Sequence, residues 1–204
     1  MQARSEFLLG GQRSGKSRRA ELLARDWLAK SPAHKAVMIA TATAWDNEMA
    51  ERIARHQQDR AERVPGMQTV EEPIELAQAI IQHSDAHTLI VVDCLTLWLT
   101  NLLMPHVEAE NSSKNAENAQ NQVSKAPLDQ QIYARAASLL IAIKKAAGPV
   151  VLVGNEIGLG VIPMGRETRA FVDELGRLNQ EVAAACERVT FMAAGLPLTL
   201  KGSP

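Results

Sequence analysis

Residues Gly10-Gly11-Gln12-Arg13-Ser14-Gly15-Lys16-Ser17 fit the pattern G-x-x-x-x-G-K-[ST], and they restrict the fold more than any other stretch of the chain. The pattern binds phosphate only where a strand runs in and a helix runs out. Here the apolar run Phe7-Leu8-Leu9 precedes the loop, and Ala20, Leu22, Leu23, Trp27 and Leu28 follow with helical spacing. An ordinary Gly/Ser turn is the competing reading, and this flanking context weighs against it. Phosphate oxygens need many donors at close range, and glycines let the backbone curl with its N–H groups pointing inward. Lys16 supplies a mobile positive charge for the β- and γ-phosphates, and Ser17 a hydroxyl for Mg²⁺. The helix that starts near Gly15 adds the positive end of its dipole.

A chain of 204 residues, 46% hydrophobic but only 3% aromatic, packs on aliphatic and alanine side chains, as layered α/β domains do. A single domain over 1–204 is expected. The net charge of −1 argues against a general nucleic-acid or membrane-surface binder, while Arg13, Lys16, Arg18 and Arg19 form a local basic pocket. Cys94 and Cys186 lie far apart without a C-x-x-C or Cys/His cluster, which predicts two buried free thiols rather than a disulfide or zinc site. No apolar run approaches the length of a membrane span and the N-terminus lacks a signal-peptide core, so a cytoplasmic location is expected.

Strand-like runs occur at Phe7–Leu9, Ala36–Ala40, Thr88–Val92, Val150–Val153 and Val189–Met192, with a further edge strand at Leu196–Leu200. Helical patterns lie between them, around Ser17–Ala29, Trp45–Gln58, Pro73–His83, Leu95–Met104, Leu128–Lys145 and Arg166–Cys186. This alternation predicts a mostly parallel sheet with helices on both faces. The segment 106–127 is rich in Asn, Gln, Ser, Glu and Lys and too poor in large apolar residues to offset its ordering entropy, so a flexible surface insertion is expected, a functional lid being the rival.

Beyond the loop, Leu89-Ile90-Val91-Val92-Asp93 resembles a Walker B strand that delivers an acid to the carboxyl edge of the sheet. Asp93 there holds Mg²⁺ through water or orients a nucleophile; the competing role is to cap the following helix. A helix from Trp45 places Arg52, His56 and Arg60 on one face, an imidazole between two guanidiniums that can meet a phosphate. Trp45, Met49 and Ile53 fall close to that face, so a core histidine is an equally serious reading of His56. If His56 faces the nucleotide, its neutral imidazole is a competent nucleophile toward an α-phosphorus, a chemistry the phosphate loop alone does not predict. His34, His83, His87 and His106 stand singly and are expected to be solvated. Glu71-Glu72 before Pro73 reads as a helix cap or as one carboxylate for a ribose or guanine.

The pieces "GGQRSGKSRRAE", "IATATAWDNEMAERIARHQQDR", "TVEEP", "VVDCLTLWLTNLL" and "VGNEIGLGVIP" followed by "GRLNQEVA" together resemble the bifunctional adenosylcobinamide kinase / adenosylcobinamide-phosphate guanylyltransferase family of cobalamin biosynthesis. The resemblance implies a RecA-like P-loop NTPase domain that assembles as a homotrimer. It implies phosphorylation of adenosylcobinamide with ATP or GTP, then transfer of GMP from GTP to adenosylcobinamide phosphate through a guanylylated histidine. That histidine lies in R-I-x-x-H, here Arg52 to His56, which sets the resemblance against the core reading. It further implies nucleotide contacts from Gly10, Gly11, Gln12, Arg13, Ser14, Gly15, Lys16, Ser17, Thr41, Ala42, Thr43, Gln57, Gln58, Asp59, Arg60, Glu71 and Asp93. Lys16 and His56 would be catalytic, and Ser17 and Asp93 would hold Mg²⁺. The chain departs from the family at Gln12, usually Ala, and at Met164-Gly165, commonly Glu-Asn. Readings from other classes are a nucleotide switch acting through a partner surface and a simple small-molecule kinase; neither needs a reactive histidine.

Overall fold

The computed structural model describes residues 3–44, 46–104 and 128–203, which places the segment expected as an insertion, and Trp45, outside the described residues. One seven-stranded sheet organises the chain, in the order β3-β2-β4-β5-β1-β6-β7. The strands are β1 (Ser5–Gly10), β2 (Lys35–Ala40), β3 (Gln68–Glu71), β4 (Thr88–Asp93), β5 (Val150–Val153), β6 (Arg188–Ala193) and β7 (Leu196–Lys201). All neighbours pair in parallel except β6 and β7, which form an antiparallel hairpin at one edge. The helices are α1 (Lys16–Leu28), α2 (Asn47–Arg63), α3 (Leu76–His83), α4 (Leu95–Leu103), α5 (Leu128–Lys145) and α6 (Arg166–Ala185). This is the expected mostly parallel α/β sheet with helices on both faces.

The central strands are apolar almost without interruption because both of their faces are covered. Successive residues therefore enter opposite cores. Phe7, Leu9, Val37, Ile39, Ile90, Val92, Val150 and Leu152 point toward α3, α4, α5 and α6, where Trp98, Leu139 and Leu178 fill the layer. Leu8, Met38, Leu89, Val91, Val151 and Val153 point the other way, against Ala20 and Ala24 of α1. The two alanines, fully buried, let α1 lie close to the sheet and so fix the phosphate loop at its N-terminus.

Differences from the sequence reading have physical causes. The strand β3 was not expected, since Gln68-Thr69-Val70-Glu71 holds a single large apolar residue; it survives as an edge strand held by main-chain pairing to β2. Helix α2 continues to Arg63 rather than Gln58, and it starts where the Asp46 carboxylate accepts the Met49 N–H at 2.7 Å. Helix α3 begins at Leu76, because the turn from Pro73 is held by Glu72 Oε1, which accepts the N–H groups of Ile74 and Glu75. His34 is not solitary: its ring stacks on Trp27 with centroids 3.8 Å apart and its Nδ1 lies 2.8 Å from the Trp27 carbonyl.

Candidate active site

Strand register builds the site. Glu71, Ala40, Asp93 and Val153 are consecutive partners across β3, β2, β4 and β5, so both carboxylates reach the same carboxyl edge of the sheet. Strand β5 lies between the phosphate-loop strand β1 and the Asp93 strand β4, and the residues after it emerge between them. Ligands in open α/β sheets bind at this edge.

A cavity of about 740 Å³ opens there. Of the residues predicted from sequence, Gln12, Arg13, Ser14, Gly15, Lys16, Ser17, Ala42, His56, Gln57, Asp59, Arg60, Glu71 and Asp93 line it. Its walls are cationic: Arg13, Lys16, Arg18, Arg52, Arg55, Arg60 and Arg63 outnumber Asp59, Glu71 and Asp93. Lys16 Nζ donates to the Gly11 carbonyl at 2.6 Å and lies 3.4 Å from Ser14 Oγ. Burial lowers the Lys16 pKa, and the nearby Cys94 and Asp93 partly oppose that shift.

Helix α2 forms the opposite wall. Met49, Arg52, Ile53, His56, Arg60 and Arg63 recur at helical spacing and all line the cavity. His56 is exposed, which overturns the core-histidine reading: the stripe that includes Met49 and Ile53 faces the cavity and not the core. Arg60 is the one buried residue of α2, at 8% exposure, and no group among the described residues pairs with its guanidinium. Arg63 ties the helix to α1, donating to the buried Glu21 at 2.9 Å and to Asp59 at 2.8 Å. The two glutamates divide the roles proposed for them, Glu72 capping the turn before α3 while Glu71 lies in the cavity and accepts from Gln57 Nε2 at 3.2 Å.

Five expected contacts lie elsewhere. Gly10 packs against β6, where an added Cβ would stand 2.3 Å from the Met192 carbonyl oxygen, so this glycine serves close approach of the backbone. Gly11 contributes its carbonyl to Lys16 and stays outside the lining. Thr41 is fully buried; its hydroxyl donates to the Cys94 carbonyl at 2.7 Å and accepts the Cys94 N–H at 2.9 Å, joining the ends of β2 and β4. Thr43, half-buried, is outside the lining. Gln58 turns to Glu62 on the outer side of α2. Both cysteines are buried free thiols whose pKa burial pushes up to about 12, which keeps them protonated and unreactive.

The sequence reading did not single out Asn155. Its N–H donates to Thr96 Oγ1 at 2.9 Å and its carbonyl accepts from Asn179 Nδ2 at 3.1 Å, so its backbone is clamped from α4 and α6 at the cavity wall. The available signal was positional: a polar residue just after a fully buried parallel strand stands at the ligand edge.

Set beside known proteins, residues 6–200 match the family model described as cobinamide kinase / cobinamide phosphate guanyltransferase. The chain belongs to this family. It is 43% identical to the bifunctional adenosylcobalamin biosynthesis protein CobP of Pseudomonas aeruginosa, over 98% of each chain. It is 35% identical to the bifunctional adenosylcobalamin biosynthesis protein CobU of Escherichia coli, over 96% of this chain and 98% of that one. With membership goes the family's pair of activities, cobinamide kinase and cobinamide phosphate guanylyltransferase. Among solved structures, the flagellar accessory protein FlaH from Methanocaldococcus jannaschii shares the fold at 10% identity, with a TM-score of 0.50 over 98% of this chain and 78% of that one.

Proposed function

We propose that this cobinamide kinase and guanylyltransferase uses one cavity for both reactions and that His56 carries GMP from GTP to adenosylcobinamide phosphate. The observation that carries the reading is the position of His56: exposed, on the cavity wall opposite the phosphate loop, and one or more helical turns from Arg52 and Arg60. In the kinase step, Lys16 and the backbone of residues 12–17 bind the ATP or GTP phosphates. The adenosylcobinamide hydroxyl attacks the γ-phosphorus, the bond to the β–γ bridging oxygen breaks, ADP or GDP leaves, and the hydroxyl proton passes to solvent. In the guanylyl step, the neutral imidazole of His56 attacks the α-phosphorus of GTP. A P–N bond forms, the bond to pyrophosphate breaks, and the imidazole proton passes to solvent. An oxygen of adenosylcobinamide phosphate then attacks the same phosphorus, the P–N bond breaks, and adenosylcobinamide-GDP leaves. Arg52 and Arg60 neutralise the phosphate oxygens during both attacks.

Ser17 and Asp93 would hold Mg²⁺. They fit it, because both are hard oxygen donors on the cavity wall and no group of three or more His, Cys, Asp or Glu side chains forms a metal cage among the described residues. Such a sparse protein donor set suits an ion bound mainly by water and substrate phosphates. Its chemistry there is to neutralise charge on the β- and γ-oxygens. We place the enzyme in the cytoplasm, with its nucleotide substrates, as a homotrimer; no described helix is long and apolar enough to cross a membrane. Leu196, Leu198 and Leu200, exposed in alternation along β7, provide apolar surface for a subunit contact.

The test is labelling with [α-³²P]GTP. The protein is expected to take up label through a bond labile in acid and stable in base, because protonating the bridging nitrogen makes imidazole a good leaving group. His56→Ala should lose the label and keep kinase activity, whereas Lys16→Ala should lose roughly 3–5 kcal/mol of transition-state stabilisation in the kinase step. Undiminished labelling of the His56→Ala protein would remove the covalent role.

A further inference from the structure

The loop after Asn155 combines a fixed backbone with unburied apolar side chains. Leu159 and Ile162 are each 78% exposed, Val161 95% and Met164 96%, with Ile157 at 41%. Isolated exposed leucines need no explanation, but several large apolar side chains on one short loop mark a contact surface. The loop is tethered at both ends. Glu156 donates its N–H to the Gly10 carbonyl at 3.1 Å, the Gly158 N–H donates to Glu156 Oε1 at 2.9 Å, and Arg169 Nη1 donates to the carbonyls of Pro163 and Met164. Its first apolar residue, Ile157, lines the nucleotide cavity, so the apolar surface continues that cavity outward.

We propose that the loop from Ile157 to Met164 seats the corrin macrocycle of the substrate, resting on the nucleotide placement given above. The group to be phosphorylated is a hydroxyl at the end of an arm on a broad ring edged with methyl groups and amides. The hydroxyl has to reach the phosphate loop, so the ring stays at the cavity rim. Two rims offer themselves, and charge separates them. The α2 rim carries Arg52 and Arg55, whereas the loop from Ile157 to Met164 has no charged side chain. A cobinamide is itself net cationic and is repelled by the first and buried favourably against the second. Two small, neutral polar side chains on the loop would remove that apolar seat without adding charge and without touching any residue of the nucleotide cavity.

The experiment compares the double variant Leu159→Ser/Val161→Ser with the conservative Leu159→Met/Val161→Ile in the full-length protein. The polar variant should raise KM for adenosylcobinamide about tenfold or more, the scale set by losing burial of even one large apolar side chain. KM for ATP and self-labelling by [α-³²P]GTP, neither of which involves the corrinoid seat, should stay at the unsubstituted level and also report that the variant is folded. The conservative variant should behave as the unsubstituted protein. An unchanged corrinoid KM would overturn the proposal, as would an equal rise in the KM for ATP. A change of oligomeric state in sedimentation velocity accompanying the rise would assign the loop to a second copy of the chain instead. Failure of the His56 reading is seen separately, as absence of label in the unsubstituted protein, and leaves the corrinoid KM comparison intact.

Discussion

Arg60 shows how a single side chain can reveal what a site is for. Arg60 is 8% exposed as a residue, and its guanidinium, without a partner among the described residues, borders the open cavity, so its charge is held ready for whatever the cavity binds. A phosphate in the cavity supplies the missing partner. Replacing Arg60 with Met keeps much of the volume and removes the charge, so the melting temperature should hold or rise while transfer of GMP to the protein falls by roughly 10²-fold or more. Labelling within twofold of the unsubstituted rate, measured in single turnover, would show that Arg60 does not meet the phosphate. Lys16, Ser17 and Asp93 were legible in the sequence because loop geometry and a buried strand dictate where they stand. Thr41 was not, because a threonine that joins two strand ends and one that meets a ligand look alike until its hydroxyl is seen between the Cys94 N–H and carbonyl.

The β6–β7 hairpin supports the phosphate loop from behind. Its turn places Ala194 at φ 51 and Gly195 at φ 80, the paired left-handed residues of a tight hairpin, and the Gly195 N–H donates to the Ser14 carbonyl at 3.0 Å. Gly195→Ala meets no steric neighbour but must hold a left-handed φ, a cost of roughly 1–2 kcal/mol. Urea unfolding should show that loss, and ATP should bind more weakly because the turn and the loop share a hydrogen bond. Unchanged ATP affinity with the expected loss of stability would mean that the hairpin supports the sheet alone. Elements with strong apolar character, β1, β4, β5 and α1, were legible from pattern. Strand β3 was not, since an edge strand with exposed faces carries little hydrophobic signal. The period of α2 was read correctly, but periodicity cannot say whether an apolar stripe faces a core or a cavity.

Across the whole molecule, alternation of strands and helices foretold a parallel sheet, but not the strand order. Nothing local states that β5 inserts between β1 and β4, because that depends on long-range pairing. The polar residue after β5 marks Asn155 as standing at the sheet's ligand edge, but only the strand order places it between the phosphate loop and Asp93. The two halves of the cavity are also built on different physics. The phosphate-loop half rests on a sheet whose strands are buried on both faces, while α2 has one buried side chain, an arginine, and a hold on α1 through the partly exposed Arg63 and its carboxylates. Apolar burial is little affected by mobile ions, whereas charge pairs with a partly exposed partner, such as Arg63 with Glu21 and with Asp59, weaken, though less than fully exposed pairs, as the Debye length shrinks from about 10 Å at 0.1 M toward 3 Å at 1 M. Ionic strength should therefore separate the enzyme's two activities: adding KCl at saturating nucleotide should slow self-guanylylation well before it slows phosphoryl transfer or lowers the melting temperature. The enzyme would then behave in strong salt as a kinase alone, with its sequence and fold unaltered.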